Sequence, residues 1–128
     1  MTANHQRASE AVAAFVAAVN RGDLEAALRL YDADAVFVPE PGTVVVGREA
    51  IRDALSAMLA ARPRIVTSAR IVLAGEDLAL YHSEWTMEAA DPGGETVRET
   101  GRSADVLRRD AGGTWRIAID NPWGTRLL

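Results

Sequence analysis

The sequence predicts an α+β fold in which three N-terminal helices pack on an antiparallel sheet. Two observations carry that reading. Apolar residues recur at helical spacing along the N-terminal part, and strand-like runs separated by Gly-rich turns fill everything after Pro63. A third sets the scale: 128 residues, 48% hydrophobic and 25% charged, suit one globular domain spanning 1–128.

From about Ala8, the residues Val12, Phe15, Val16 and Val19 form one apolar stripe and predict a first helix. Gly22 ends it with a left-handed cap, and Asp23 caps a second helix on which Leu24, Ala27, Leu28 and Tyr31 share a face. Ala35 to Val38 and Thr43 to Val46 read as short strands around the turn Pro39-Glu40-Pro41-Gly42. A third helix is expected from Arg48 to Ala60, with Ile51, Ala54, Leu55, Met58 and Leu59 inward. Arg62-Pro63 stops it. Four strands follow, at Arg64–Leu73, Leu78–Ala89, Glu95–Arg109 and Thr114–Trp123, with turns at Asp91-Pro92-Gly93-Gly94 and Asp110-Ala111-Gly112-Gly113.

Composition removes several functions. There is no cysteine, so disulfides, thiol catalysis and cysteine–zinc sites are excluded. The net charge of -4 speaks against a nucleic-acid partner, which needs a concentrated basic patch. All 14 basic residues are arginine, which reads either as compositional bias or as forks for carboxylate and phosphate. No stretch is apolar and long enough to span a membrane, and the start lacks a signal-peptide pattern, so a cytoplasmic location is expected. There is no phosphate-binding glycine loop or serine nucleophile motif.

Three stretches carry a family resemblance. Phe15-Val16-Ala17-Ala18-Val19-Asn20-Arg21-Gly22-Asp23-Leu24-Glu25 with Leu30-Tyr31-Asp32-Ala33-Asp34-Ala35, then Gly47-Arg48-Glu49-Ala50-Ile51-Arg52, and Gly113-Thr114-Trp115-Arg116-Ile117-Ala118-Ile119-Asp120 resemble the nuclear-transport-factor-2-like superfamily. That group includes ketosteroid isomerases and SnoaL-type polyketide cyclases. The resemblance implies a cone-shaped fold with a curved sheet, whose concave face lines a cavity closed by the helices. It also implies a homodimer joined through the sheet. It implies no particular reaction, because the fold hosts many. The isomerase's oxyanion-binding tyrosine falls at Phe15, which has no donor, and its general base at about Val38 or Pro39, neither of which takes a proton. Its second aspartate matches Asp105, so steroid isomerisation by that mechanism is not expected.

If both turns are four-residue loops, His82 opposes Ser103, Leu80 opposes Asp105, Glu84 opposes Gly101 and Asp105 opposes Ala118. One face then holds Leu78, Leu80, His82, Glu84, Ser103, Asp105, Leu107 and Asp120. The other holds Tyr81, Trp85, Met87, Val106, Trp115, Ile117, Ile119 and Trp123. A bulge would break this sorting, and Gly101 is a candidate place for one. A solvated face against a core face explains the split without any function. With the resemblance, Asp105, His82, Glu84 and Asp120 become a polar cavity floor.

The functional expectation is a pocket for a compact, partly apolar small molecule. Asp105 is the candidate acid, and His82 or Asp120 the candidate base, for proton transfer of an isomerase or cyclase kind. Phe15, Tyr31, Val38, Leu80, Glu84, Trp85, Ser103 and Trp123 are the candidate ligand contacts. No cofactor and no metal are expected, although His82, Glu84, Asp105 and Asp120 are ligand types that suit a metal if they converge. The alternative is a non-catalytic homodimeric association or ligand-binding module.

Overall fold

The computed structural model describes residues 3–126. Its elements run α1 (Ala3–Asn20), α2 (Leu24–Arg29), β1 (Tyr31–Glu40), β2 (Thr43–Val46), α3 (Arg48–Ala60), β3 (Arg64–Ala74), β4 (Leu78–Ala90), β5 (Thr96–Arg109) and β6 (Trp115–Asp120). The three helices pack on one face of a curved, unclosed six-stranded sheet ordered β2-β1-β6-β5-β4-β3. Pairing is antiparallel except between β1 and β6, which run parallel. The meander from β3 to β6 thus brings the last strand between the first hairpin and the rest.

Local chemistry sets the helix ends. Asp23 accepts from the Ala26 N–H at 3.0 Å and so caps α2. Gly47, at φ 88°, takes the left-handed turn into α3, where a side chain would be strained. Asn20 ends α1 by bonding both backbone groups of Ile65, through Nδ2 to the carbonyl at 2.9 Å and Oδ1 from the N–H at 2.7 Å. Arg52 of α3 makes a two-pronged ion pair with Glu25 of α2. The core between the helices and the sheet holds Phe15, Val19, Leu28, Ile51, Leu55, Leu107 and Ile117.

Tyr31 corrects the sequence reading. Its spacing fits the second helix, yet it opens β1, where it pairs with Ile117 of β6. Arg48 fixes the break by donating to the Tyr31 carbonyl, at 2.6 Å from its Nη2. Tertiary pairing overrides a helical pattern this short.

The registers also differ from expectation. Each of the two long hairpins uses five residues between its last paired positions, Ala90 with Thr96 and Arg109 with Trp115 in one case flanking Asp110 to Thr114. Gly94 and Gly113 sit at φ 83° and 87°, adding a left-handed residue after the turn. Asp91 and Asp110 hold these loops by accepting from backbone N–H groups across them. The extra residue slides β4 by one against β5, so Ser83 opposes Ser103, Tyr81 opposes Asp105 and Leu80 opposes Val106. A one-residue slip exchanges the faces. Leu78, Leu80, His82 and Glu84 therefore lie on the outer face, away from Asp105. Between β5 and β6 the slip is followed by a bulge at Ala118, and the two displacements add to two residues, which restores the expected face beyond it. Asp105 and Asp120 consequently share the inner face as expected, while Val106 and Ile119 turn outward. Gly101 carries no bulge and pairs regularly with Trp85; the β3 bulge is at Ser68.

Candidate functional site

The helices leave a cavity of about 110 Å³ over the inner face of the sheet. Val12, Phe15 and Val16 of α1 and Met58 of α3 form its roof. Phe37, Pro39, Ile65, Tyr81, Trp85, Met87, Pro122 and Trp123 form apolar walls. Its polar atoms come from Thr67, Ser83, Ser103, Asp105 and Asp120.

The floor is a connected set of hydrogen bonds. Tyr31, fully buried beneath the cavity, donates its hydroxyl to Asp120 Oδ2. Asp105 and Asp120 are hydrogen-bonded to each other. Asp105 Oδ1 accepts from the Asn121 N–H at 2.8 Å. Ser103 Oγ accepts from the Ser83 N–H at 3.0 Å and lies 2.7 Å from Ser83 Oγ. Asp105 and Asp120 are 7% and 8% exposed, so neither carboxyl is screened by bulk water.

Burial raises both acids, and they respond unequally. Loss of hydration pushes Asp120 up to about 6, with the Tyr31 and Asp105 hydrogen bonds holding it down. Asp105 goes well above the usual carboxylate range, first from burial and then from the negative charge of Asp120. Burial thus favours the protonated form of Asp105, while Asp120 ionises at about pH 6. Burial and the adjacent Asp120 raise Tyr31 well above its ordinary range, so its hydroxyl remains a donor.

Aromatic contacts fix the walls. Phe15 meets Tyr31 edge-on at 5.4 Å, and Trp85 meets Trp123 edge-on at 5.3 Å. Trp85 Nε1 donates to the Pro122 carbonyl at 2.7 Å. The Trp85 ring lies across Gly101, where an added Cβ would come within 2.4 Å of it. Among the described residues, the indole N–H groups of Trp115 and Trp123 are buried without an acceptor.

The cavity brings together Phe15, Trp85, Ser103, Asp105, Asp120 and Trp123 among the residues selected from sequence, with Tyr31 directly below. It excludes four others. His82 and Glu84 are exposed on the outer face, His82 with Nδ1 3.2 Å from the Ser103 carbonyl and Glu84 4.0 Å from Arg102. Leu80 is outward through the register slip, and Val38 alternates out while Phe37 and Pro39 turn in. His82 and Glu84 therefore cannot join Asp105 and Asp120 around one metal ion. The aromatic residues assigned to the opposite face, Tyr81, Trp85 and Trp123, are cavity walls instead. Sequence reasoning missed Ser83 and Thr67; the alternating run Tyr81-x-Ser83-x-Trp85-x-Met87 is the signal that marks its strand's cavity side.

A six-stranded curved sheet with helices on its concave side, closing over a carboxylate-floored cavity, defines a cone-shaped α+β fold with an internal pocket. The chain belongs to the SnoaL-like domain family, whose model matches residues 12–118. Solved structures agree in fold. A nuclear transport factor 2-like superfamily protein from Salmonella enterica superposes with a TM-score of 0.82 at 17% identity, covering 94% of this chain and 92% of that one. A ketosteroid isomerase-like protein from Erwinia carotovora gives 0.80 at 18%, covering 94% and 95%. A protein from Xanthomonas campestris, provisionally assigned as a calcium/calmodulin-dependent protein kinase II association domain, gives 0.78 at 24%, covering 91% and 84%. No curated protein matches the chain. Among the described residues, no helix is long and apolar enough to cross a membrane.

Proposed function

We propose that this chain is a small-molecule pocket protein whose paired carboxyls transfer a proton on a compact, partly apolar ligand. The observation that carries this reading is the Asp105–Asp120 pair at the floor of an otherwise apolar cavity. Two acids held at different protonation states supply an acid and a base within one hydrogen-bonded unit. Asp120, with its carboxyl pushed up to about 6, is the base; Asp105, raised well above the carboxylate range by burial and by the Asp120 charge, is the acid. With His82 outside the cavity, Asp120 takes the base role alone. The chemistry that suits this is isomerisation or cyclisation through a carbon acid. It differs from the ketosteroid isomerase arrangement, because Phe15 offers no hydroxyl and Pro39 no base.

A thermal-shift screen of steroids, polyketide-like aromatics, terpenoids and small amines tests the reading. A ligand at about a hundred times its dissociation constant adds roughly 2.7 kcal/mol. A hit whose shift changes in Asp105→Asn supports the pocket. A hit indifferent to both Asp105→Asn and Asp120→Asn rules out these carboxyls as its site.

A second reading, a homodimeric association module, rests on the outer face. Val46, Val36, Ile119, Val106, Leu80 and Leu73 pair successively across all six strands and form an apolar row. Ile119, Val46 and Leu73 are exposed in the single chain. A second copy laid sheet to sheet would bury this row. Light scattering should then give twice the chain mass, and Ile119→Asp should return it to one. A monomeric wild type would end this reading.

A further inference from the structure

We propose that the cavity selects a compact protonated amine over neutral carbonyl compounds and over carboxylates. This rests on the pocket reading above and names its ligand class.

The argument is an account of polar hydrogens. The Tyr31 hydroxyl is spent on Asp120. The Asn121 N–H is spent on Asp105. Ser103 Oγ accepts from the Ser83 N–H and shares a hydrogen bond with the Ser83 hydroxyl. The Tyr31 and Asn121 donors are thus directed at the pair itself, and the pair presents carboxyl oxygens to the cavity. Thr67 adds a hydroxyl to the wall that serves as donor or acceptor and carries no charge. The Trp123 N–H is enclosed rather than presented.

Charge points the same way. The chain has fourteen arginines, and none lines the cavity. The pair therefore holds a buried negative charge with no cation from the protein against it, a costly arrangement that a ligand cation would relieve. A carboxylate ligand would meet repulsion with no compensating fork. A ketone would find its acceptor oxygen facing acceptors. An ammonium group supplies up to three donors and the missing charge. Trp85, Trp123, Phe15 and Phe37 offer ring surface for its apolar body and for cation–π contact. A volume of about 110 Å³, against about 150 Å³ for a cavity that accepts benzene, limits the enclosed body to a single ring at most.

Four probes of similar size decide the matter by isothermal titration at pH 7.5: benzylamine, benzyl alcohol, acetophenone and benzoate. Benzylamine should bind about ten-fold or more tightly than the two neutral probes, with benzoate weakest. Asp120→Asn should remove most of that preference while still binding benzyl alcohol. If acetophenone or benzyl alcohol binds as tightly as benzylamine, the amine assignment is overturned and the pocket reading stands. If benzoate binds best, the charge argument is overturned. If none of the four binds at millimolar concentration, both the amine assignment and the pocket reading fall.

Discussion

The Tyr31 hydroxyl donates to the Asp120 carboxylate, joining the first residue of β1 to the last residue of β6 across 89 positions of sequence. The bond has two consequences that Tyr31→Phe separates. Asp120 loses a donor that lowers its proton affinity, so its titration should move upward from about 6. The fold should lose about 1–3 kcal/mol, as expected for a buried carboxylate deprived of a partner. Carbon-detected NMR titration of Asp120 and thermal unfolding measure the two effects.

Asp105→Asn should change how stability depends on pH. Both carboxyls have folded-state values above the ordinary 3.8. Between about pH 4 and pH 6 the folded chain keeps a proton on Asp120 that the unfolded chain has released, so stability falls as pH rises through this window. Asp105, raised well above its ordinary range by burial and the Asp120 charge, acts in the same direction. Asparagine copies the neutral, donating form of Asp105. The variant should therefore lose less stability than wild type as pH rises from about 5 to about 8. Parallel unfolding curves at the two pH values would contradict the assignment.

Gly101→Ala should disturb the cavity wall from outside. The new methyl would stand 2.4 Å from the Trp85 ring, which is held by its bond to the Pro122 carbonyl. Overpacking of this sort costs about 1–3 kcal/mol. Tryptophan fluorescence should shift with the loss of stability. Adding Trp85→Phe, which removes the clashing atoms, should give a double variant less damaged than the sum of the two.

Asn20→Ala tests the join between α1 and β3. The substitution strands both the N–H and the carbonyl of Ile65, now bonded at 2.7 and 2.9 Å. A loss of about 2–3 kcal/mol is expected in urea denaturation, with faster amide exchange at Ile65 than at core positions of β5.

The limits of α3 were legible because Gly47 and Pro63 bracket an amphipathic run, and the order of every strand followed from the turn residues. Register was not. Asp-Pro-Gly-Gly is compatible with a four- or a five-residue loop, and only the left-handed glycine at 94 decides. That single residue sent His82 and Glu84 to the wrong face and hid Ser83. Asp105 and Asp120 share a face as expected, but only because a loop and a bulge together shift the register by two residues, a full side-chain period. Tyr31 was misread as helical because its strand partner lies at the far end of the chain, beyond the reach of any local pattern.

The position of β6 also has a meaning in time. It sits between β1 and β5, so a chain still emerging from the ribosome has a β1–β2 hairpin and a β3–β4–β5 meander with no edge in common. Until Asp120 is made, Tyr31 has no acceptor and Asp105 no partner for its proton. The binding chamber is therefore assembled by the last strand synthesised, and truncating the chain before β6 would leave two open sheet edges rather than a weakened version of the same protein.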